Sequence, residues 1–147
     1  MAVQAELFAA THAAALTRSE ALADGTVTRT TDETHLELED VGAIELEALG
    51  EIVAQAVRFG SGDLELSEVD LDHEALLVLP EFLCEALAEL GRTDDPDLPA
   101  EVAAEWGLTE EMDSADTDLL PVLSSVVALV MLAEEAGERV YLWTAEG

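Results

Sequence analysis

Residues 119–144, LLPVLSSVVALVMLAEEAGERVYLWT, join the most apolar helical segment of the chain directly to a strand-like segment. The apolar run is interrupted by Pro121 and is shorter than the roughly 20 residues that a membrane-spanning helix needs. We therefore predict a buried core helix from about Asp118 to Ala136, with the proline in its first turn. Gly137 is expected to end the helix, and Val140–Thr144 is rich in strong β formers.

The N-terminus carries a second strand pattern. Ala2–Ala10 (AVQAELFAA) begins with apolar residues at alternate positions, as in a half-buried strand. Thr11 is a suitable cap for a following helix through about Leu22, which Asp24-Gly25 closes. A strand at each end of the chain indicates that the two pair in one small sheet with helices covering a face.

The middle of the chain predicts mostly helices. His35–Glu39 alternates like an edge strand, whereas Val41–Phe59 has helical spacing of its apolar residues. Leu79–Leu90 forms a second amphipathic helix, with Pro80 suiting its first turn, and Pro99–Trp106 forms a short third one. We therefore expect one α+β domain over residues 1–147, predominantly helical, with a small sheet that includes both terminal strands.

The composition is very acidic. Against 34 acidic residues the chain has five basic ones, all arginine, for a formal net charge of −29. Half of the residues are hydrophobic, so this charge must lie outside a real core. Isolated arginines argue against direct contact with nucleic acid or anionic membranes. Three explanations remain open: adaptation to a salt-rich cytoplasm, recognition of a basic partner, or imitation of a phosphate backbone.

Two helices carry glutamates on the side opposite to their apolar residues. Such carboxylate faces are suited to recognition of a basic protein. We predict an interaction surface on these two helices, made of six residues: Glu45, Glu47, Glu51, Glu81, Glu85 and Glu89.

The densest group of potential metal ligands is Asp70, Asp72, His73 and Glu74. Their spacing does not match a calcium-binding loop, which needs a glycine at its bend and a bidentate glutamate at its twelfth position. We interpret the group as a solvated loop ahead of a helix, and we predict neither a metal site nor a cofactor. A metal-dependent hydrolase that uses His73 with the two aspartates remains an alternative.

Cys84 is the one cysteine of the chain, so no intrachain disulfide can form. It lies between Glu81 and Glu85, whose charges are expected to raise the pKa of its thiol. No nucleophile elbow or phosphate-binding glycine motif is present. The first residues lack the basic region of a secretory signal, and we expect a cytoplasmic protein.

The second half of the chain resembles a known layout. LPEFLCEALAEL, Trp106, an acidic link, a long apolar helix and GERVYLW are similar to the YfbM-like family of small bacterial proteins of unknown function. The likeness runs from about Leu76 to the end, with support from residues 3–20. In the first half, TRTTDETHLELED stands where that family has a tryptophan-bearing segment. The resemblance implies a small α+β domain and carries over no functional residue.

These observations favour a non-enzymatic, acidic protein-interaction domain. Its concrete form is an immunity-like or inhibitory protein directed at a basic or nucleic-acid-binding partner. The alternatives are a salt-adapted domain with a small-molecule pocket and the metal-dependent hydrolase. The sequence does not determine the oligomeric state.

Overall fold

A computed structural model describes residues 3–39, 41–60, 62–69, 75–110, 112 and 119–146. Its strands and helices form an α+β domain. The elements are β1 (Val3–Ala10), α1 (His12–Asp24), β2 (His35–Glu39), α2 (Ala43–Ala56), β3 (Ser67–Glu68), β4 (Leu76–Val78), α3 (Glu81–Gly91), α4 (Leu98–Gly107), α5 (Leu120–Ala136) and β5 (Arg139–Glu146).

The five strands of the described residues form one antiparallel sheet in the order β2-β1-β5-β4-β3. The two terminal strands pair along their whole length, from Val3 opposite Glu146 to Ala10 opposite Arg139. The predicted pairing of the chain ends is therefore confirmed. β2 lies at one edge, as its alternation indicated, and the short β3 forms the other edge.

Alternation along the terminal strands distributes their side chains between two cores. Leu7 and Leu142 point to the larger core with α2, α3, α4 and α5. Phe8 and Tyr141 point to the opposite face, where α1 covers them. Helices thus cover both faces of the sheet, while the sequence predicted only one covered face. Period-two alternation explains how neighbouring residues serve different layers.

The helix α5 lies at the centre of the larger core. It contacts β1, β2, β5, α3 and α4, and Leu123 and Val126 are completely buried. The predicted start at Asp118 lies outside the described residues, and the helix begins at Leu120 with Pro121 in its first turn. Gly137 ends it in the left-handed conformation at φ 70°, as expected from the sequence.

Thr11 caps α1 through a hydrogen bond that its Oγ1 accepts from Ala14 N at 3.3 Å, and Gly25 closes that helix at φ 74°. Both features agree with the prediction. The strands β3 and β4 were missed because two or three residues are too short to show an alternating pattern. β4 extends the sheet through its register with β5, in which Leu76 lies opposite Trp143.

Candidate interaction surface

A groove of about 620 Å³ lies between α3 and α5, next to the start of β5. We call it the acidic groove. Its rim carries five carboxylates and two guanidinium groups, which leaves a formal excess of negative charge. The charged residues are Glu81, Glu85, Glu89, Glu134, Glu138, Arg92 and Arg139. The apolar lining residues are Phe59, Cys84, Val130, Ala133 and Val140.

The amphipathic pattern of α3 places its glutamates on the groove. Leu83, Leu87 and Leu90 are buried in the core, so residues on the other side of the helix must face outward. All three glutamates of α3 that the sequence predicted for recognition are exposed and line the groove. Their spacing of four residues separates them by roughly 6 Å along the helix axis.

Hydrogen bonds hold the start of β5, which borders the groove, against the residue that precedes α3. The N–H of Leu79, just before α3, donates to the carbonyl of Val140 at 3.0 Å. Arg139 Nη2 donates to the Leu79 carbonyl at 3.1 Å. These bonds hold the beginning of β5 against the beginning of α3. Glu138, which follows the turn at Gly137, lines the groove just before this fixed segment.

At the other end of the groove, Arg92 joins the two helices. Its Nη2 lies 2.6 Å from Glu134 Oε1, and its Nη1 lies 3.5 Å from Glu89 Oε1. The hydrogen bond with Glu134 is the main cause that raises the pKa of Arg92. Two of the five carboxylates are thus paired within the protein.

Three carboxylates of the acidic groove have no ion pair or hydrogen bond within the described part of the chain: Glu81, Glu85 and Glu138. Arg139, which also lines the groove, uses its guanidinium on a backbone carbonyl. The groove therefore offers unpaired negative charge beside apolar surface.

Cys84 lies on the apolar floor and is only partly accessible. The pKa of its thiol is raised to about 12, chiefly by burial; Arg139 opposes the rise, and Glu81, Glu85 and Glu134 contribute to it. The direction confirms the sequence-based expectation, although burial is a larger cause than the neighbouring charges. A thiol in this state is protonated at neutral pH and is a poor nucleophile.

The glutamates predicted on α2 form a separate surface. Glu47 and Glu51 line a shallower depression of about 290 Å³ with Ile44, Ala48 and Leu64, and it shares no residue with the acidic groove. Burial, followed by repulsion from Glu65 and Asp63, raises the pKa of Glu47. The six predicted residues therefore do not form one continuous lining.

Glu45 has a structural role at the start of α2. Its Oε1 accepts a hydrogen bond from Gly42 N at 3.0 Å, and its backbone carbonyl accepts one from Trp106 Nε1 at 3.0 Å. The side chain thus satisfies one of the free N–H groups at a helix start. It is less available for recognition than the other predicted glutamates.

One acidic residue on the other face of the sheet is completely buried. Glu6 receives two hydrogen bonds from Arg18, from Nε at 2.9 Å and from Nη2 at 2.6 Å. Thr30 N donates a third at 2.9 Å. Arg18 also donates to the Thr28 carbonyl. This hydrogen-bonded pair holds residues 28–30 against β1, and the Glu6 carboxylate is fully buried behind Arg18.

The predicted ligand cluster of Asp70, Asp72, His73 and Glu74 lies outside the described residues. Within the described ranges, no group of three or more histidine, cysteine, aspartate or glutamate residues is arranged to hold a metal ion. None of the helices described is long and apolar enough to cross a membrane.

Sequence reasoning found α3 and missed the facing wall of the groove. Glu134 lies in the last turn of the core helix and Glu138 just after it, in the run AEEAGER, where they look like ordinary helix-end charges. Arg92 begins the polar run RTDDPD, which has no apolar pattern that would link it to α5. Only the packing of α3 on α5 brings these residues together, so no local pattern could have identified them.

Comparison with known proteins found no related protein. No family model matches the chain, and no curated protein or solved structure matches it. The YfbM-like resemblance stays a prediction, and function must be argued from the geometry of the site.

Proposed function

We propose that this protein is a non-enzymatic interaction domain that binds a basic segment of a partner protein in the acidic groove. The observation that carries the proposal is the set of unpaired carboxylates of Glu81, Glu85 and Glu138 around an apolar floor. An immunity-like or inhibitory action on a basic or nucleic-acid-binding protein is the concrete form of this role.

The groove has the two features that an amphipathic basic helix requires. On its floor, the partly exposed side chains of Phe59 and Cys84 can contact leucine side chains or the aliphatic stems of arginine. Its rim can pair with the cationic ends of those stems. The floor is well supported, since the ring centroid of Phe59 lies 5.5 Å from that of Phe82 on α3.

The spacing of the rim favours a helical partner. Carboxylates four residues apart on α3 are about 6 Å apart, which equals the axial separation of residues i and i+4 on a second helix. A helix seated in a groove between two helices is a recurrent mode of peptide recognition. Arginines at i, i+4 and i+8 would therefore reach successive glutamates.

The overall charge supports rapid encounter with such a partner. A net charge of −29 attracts cationic proteins over distances beyond direct contact. Because salt screens this attraction, with a Debye length of about 10 Å at 0.1 M, binding should weaken steeply as ionic strength rises.

The test uses a short synthetic helix with arginine at i, i+4 and i+8 and leucine on the adjoining face. Calorimetric titration at low salt should show binding to the wild-type protein. The triple substitution E81Q/E85Q/E138Q should weaken it by about tenfold, since exposed ion pairs contribute roughly 0.2–1 kcal/mol each. Absence of binding to the wild-type protein would overturn the proposal.

The matched control removes the same charge from another exposed surface. The variant E101Q/E105Q/E110Q changes three exposed glutamates that do not line the acidic groove. Its affinity for the peptide should stay close to wild type. Equal weakening by both variants would show a general charge effect and would contradict recognition by the groove.

The volume of the acidic groove supports a second candidate function. About 620 Å³ lies within the roughly 300–1,000 Å³ typical of small-molecule pockets. A salt-adapted domain would then bind a small cationic ligand, for which a linear polyamine is a suitable probe. This alternative predicts polyamine binding that E81Q/E85Q/E138Q abolishes, no binding of the arginine helix, and a fold that requires molar KCl.

A further inference from the structure

We infer that Arg92 is an internal competitor for the acidic groove, which an arginine of the bound partner displaces from Glu134. This inference rests on the proposed function and concerns the order in which the groove is occupied. It assigns to Arg92 a role in limiting affinity and selecting arginine-bearing segments.

The groove has one open end and one closed end. Bonds between Leu79 and the start of β5 hold Arg139 and Val140 beside the residue that precedes α3, and the carboxylates of Glu81 and Glu138 are unpaired within the described chain. Eleven residues later on α3, or about 16 Å along the helix axis, Arg92 spans the groove to Glu134. At this closed end, a cation from a partner must compete with Arg92 for the carboxylate of Glu134.

The chemistry of the internal pair matches that of the expected ligand. Arg92 donates from Nη2 to Glu134 Oε1 at 2.6 Å, and the two side chains come from different helices. A partner arginine would make the same charge-assisted hydrogen bond to the same carboxylate. Arg92 therefore occupies the position that a partner cation would otherwise take.

Exposure of the pair allows exchange. The side chains of Arg92, Glu89 and Glu134 are 45%, 46% and 49% exposed. Exposed ion pairs are weak and are further weakened by salt. A partner already held at Glu81, Glu85 and Glu138 has a high effective concentration at the closed end, so its arginine can replace Arg92 at Glu134.

The backbone of Arg92 keeps the competitor in place. Its N–H bonds to the carbonyls of Ala88 and Glu89 at 3.1 Å as the C-terminal cap of α3. The guanidinium therefore remains near the groove even after it has been displaced. This arrangement makes the competition intramolecular and reversible.

The experiment compares R92Q with the wild-type protein, using the synthetic helix that carries arginine at i, i+4 and i+8. R92Q should tighten binding by about threefold, because the peptide no longer has to displace Arg92 from Glu134. R92K retains the charge but not the planar donor fork, and should give an intermediate affinity. Circular dichroism would verify that each variant is folded.

A control variant distinguishes competition by Arg92 from a general effect of net charge on binding. R58Q removes one positive charge at an exposed arginine outside the groove lining. Tighter binding by R92Q and unchanged binding by R58Q would support the inference. Equal or weaker binding by R92Q, or the same gain in both variants, would overturn it while leaving the proposed function intact. If neither wild type nor R92Q binds the peptide, the proposed function itself fails.

A peptide that lacks the arginine for the closed end gives a second readout. This shortened peptide needs only the open end, so R92Q should leave its affinity unchanged. A threefold gain with the shortened peptide as well would contradict competition at Glu134.

Discussion

Arg92 and Glu134 lie 2.6 Å apart across one end of the acidic groove, and they come from the ends of two different helices. Their approach depends on Gly91, which has no side chain between α3 and α5. A Cβ at that position would lie 2.5 Å from Met131 Sδ and 2.7 Å from Val127 Cγ1. The closeness of the two helices therefore sets the width of the groove.

Substitution of Gly91 by alanine should separate these helices. Overpacking of a fitted contact costs about 1–3 kcal/mol, whereas alanine gains at most about 1 kcal/mol over glycine in a helix. We expect a net loss of stability of about 1 kcal/mol, measured by urea unfolding. A G91A variant as stable as the wild type would show that Val127 and Met131 move aside without cost.

The buried pair of Glu6 and Arg18 should be sensitive to loss of one partner. R18M would leave the carboxylate of Glu6 buried without its main counter-charge and should destabilise the fold by about 3 kcal/mol. The double variant E6L/R18M removes both charges and should recover part of that loss. Urea unfolding of both variants measures the effect. A cost below about 0.5 kcal/mol for R18M would contradict the structural role of the pair.

Cys84 should react very slowly with alkylating reagents in the folded protein. A thiol pKa of about 12 leaves roughly a thousandth of the thiolate that an ordinary cysteine has at neutral pH. Mass spectrometry after iodoacetamide treatment should show little modification at pH 7, and rapid modification in urea. A native rate within tenfold of the rate in urea would contradict burial of the thiol.

Glu47 should give a pH-dependent contribution to stability. Its raised pKa means that folding disfavours the ionised form. The resulting destabilisation is absent below the unfolded pKa of about 4.3 and develops as pH rises through the folded value. E47Q should therefore stabilise the protein at pH 7, by roughly 0.5 kcal/mol or less, and have no such effect near pH 4.

Thermal unfolding of E47Q at the two pH values checks this expectation. E51Q is the matched control, since Glu51 is an exposed neighbour in the same depression. It should show a smaller difference between pH 7 and pH 4 than E47Q. Stabilisation by E47Q that persists unchanged at pH 4 would rule out titration of Glu47 as the cause.

Much of the fold follows from local patterns. Each of three features depends only on its own segment of sequence. They are the alternation in β1, the cap of α1 at Thr11 and the left-handed glycine after α5. The apolar character of α5 correctly predicted a central position. β3 has two residues and β4 has three, and both form because they pair with other strands. Strands this short show no periodic pattern in the sequence.

Half of the predicted interaction surface lies on the groove for a simple reason. The amphipathic period of α3 determines which face Glu81, Glu85 and Glu89 occupy. The facing wall depends on where α5 and β5 are placed in three dimensions. The charges of Glu134 and Arg92 are separated by many residues in sequence, so their pairing could not be inferred locally.

The proposed function is recognition of a basic helical segment by the unpaired carboxylates of the acidic groove. Calorimetric titration of the arginine helix at low salt, into the wild-type protein and E81Q/E85Q/E138Q, tests it most directly. We expect the wild-type protein to bind the peptide and the substitutions to weaken this binding by about tenfold. No wild-type binding, or the same affinity in both proteins, would contradict it.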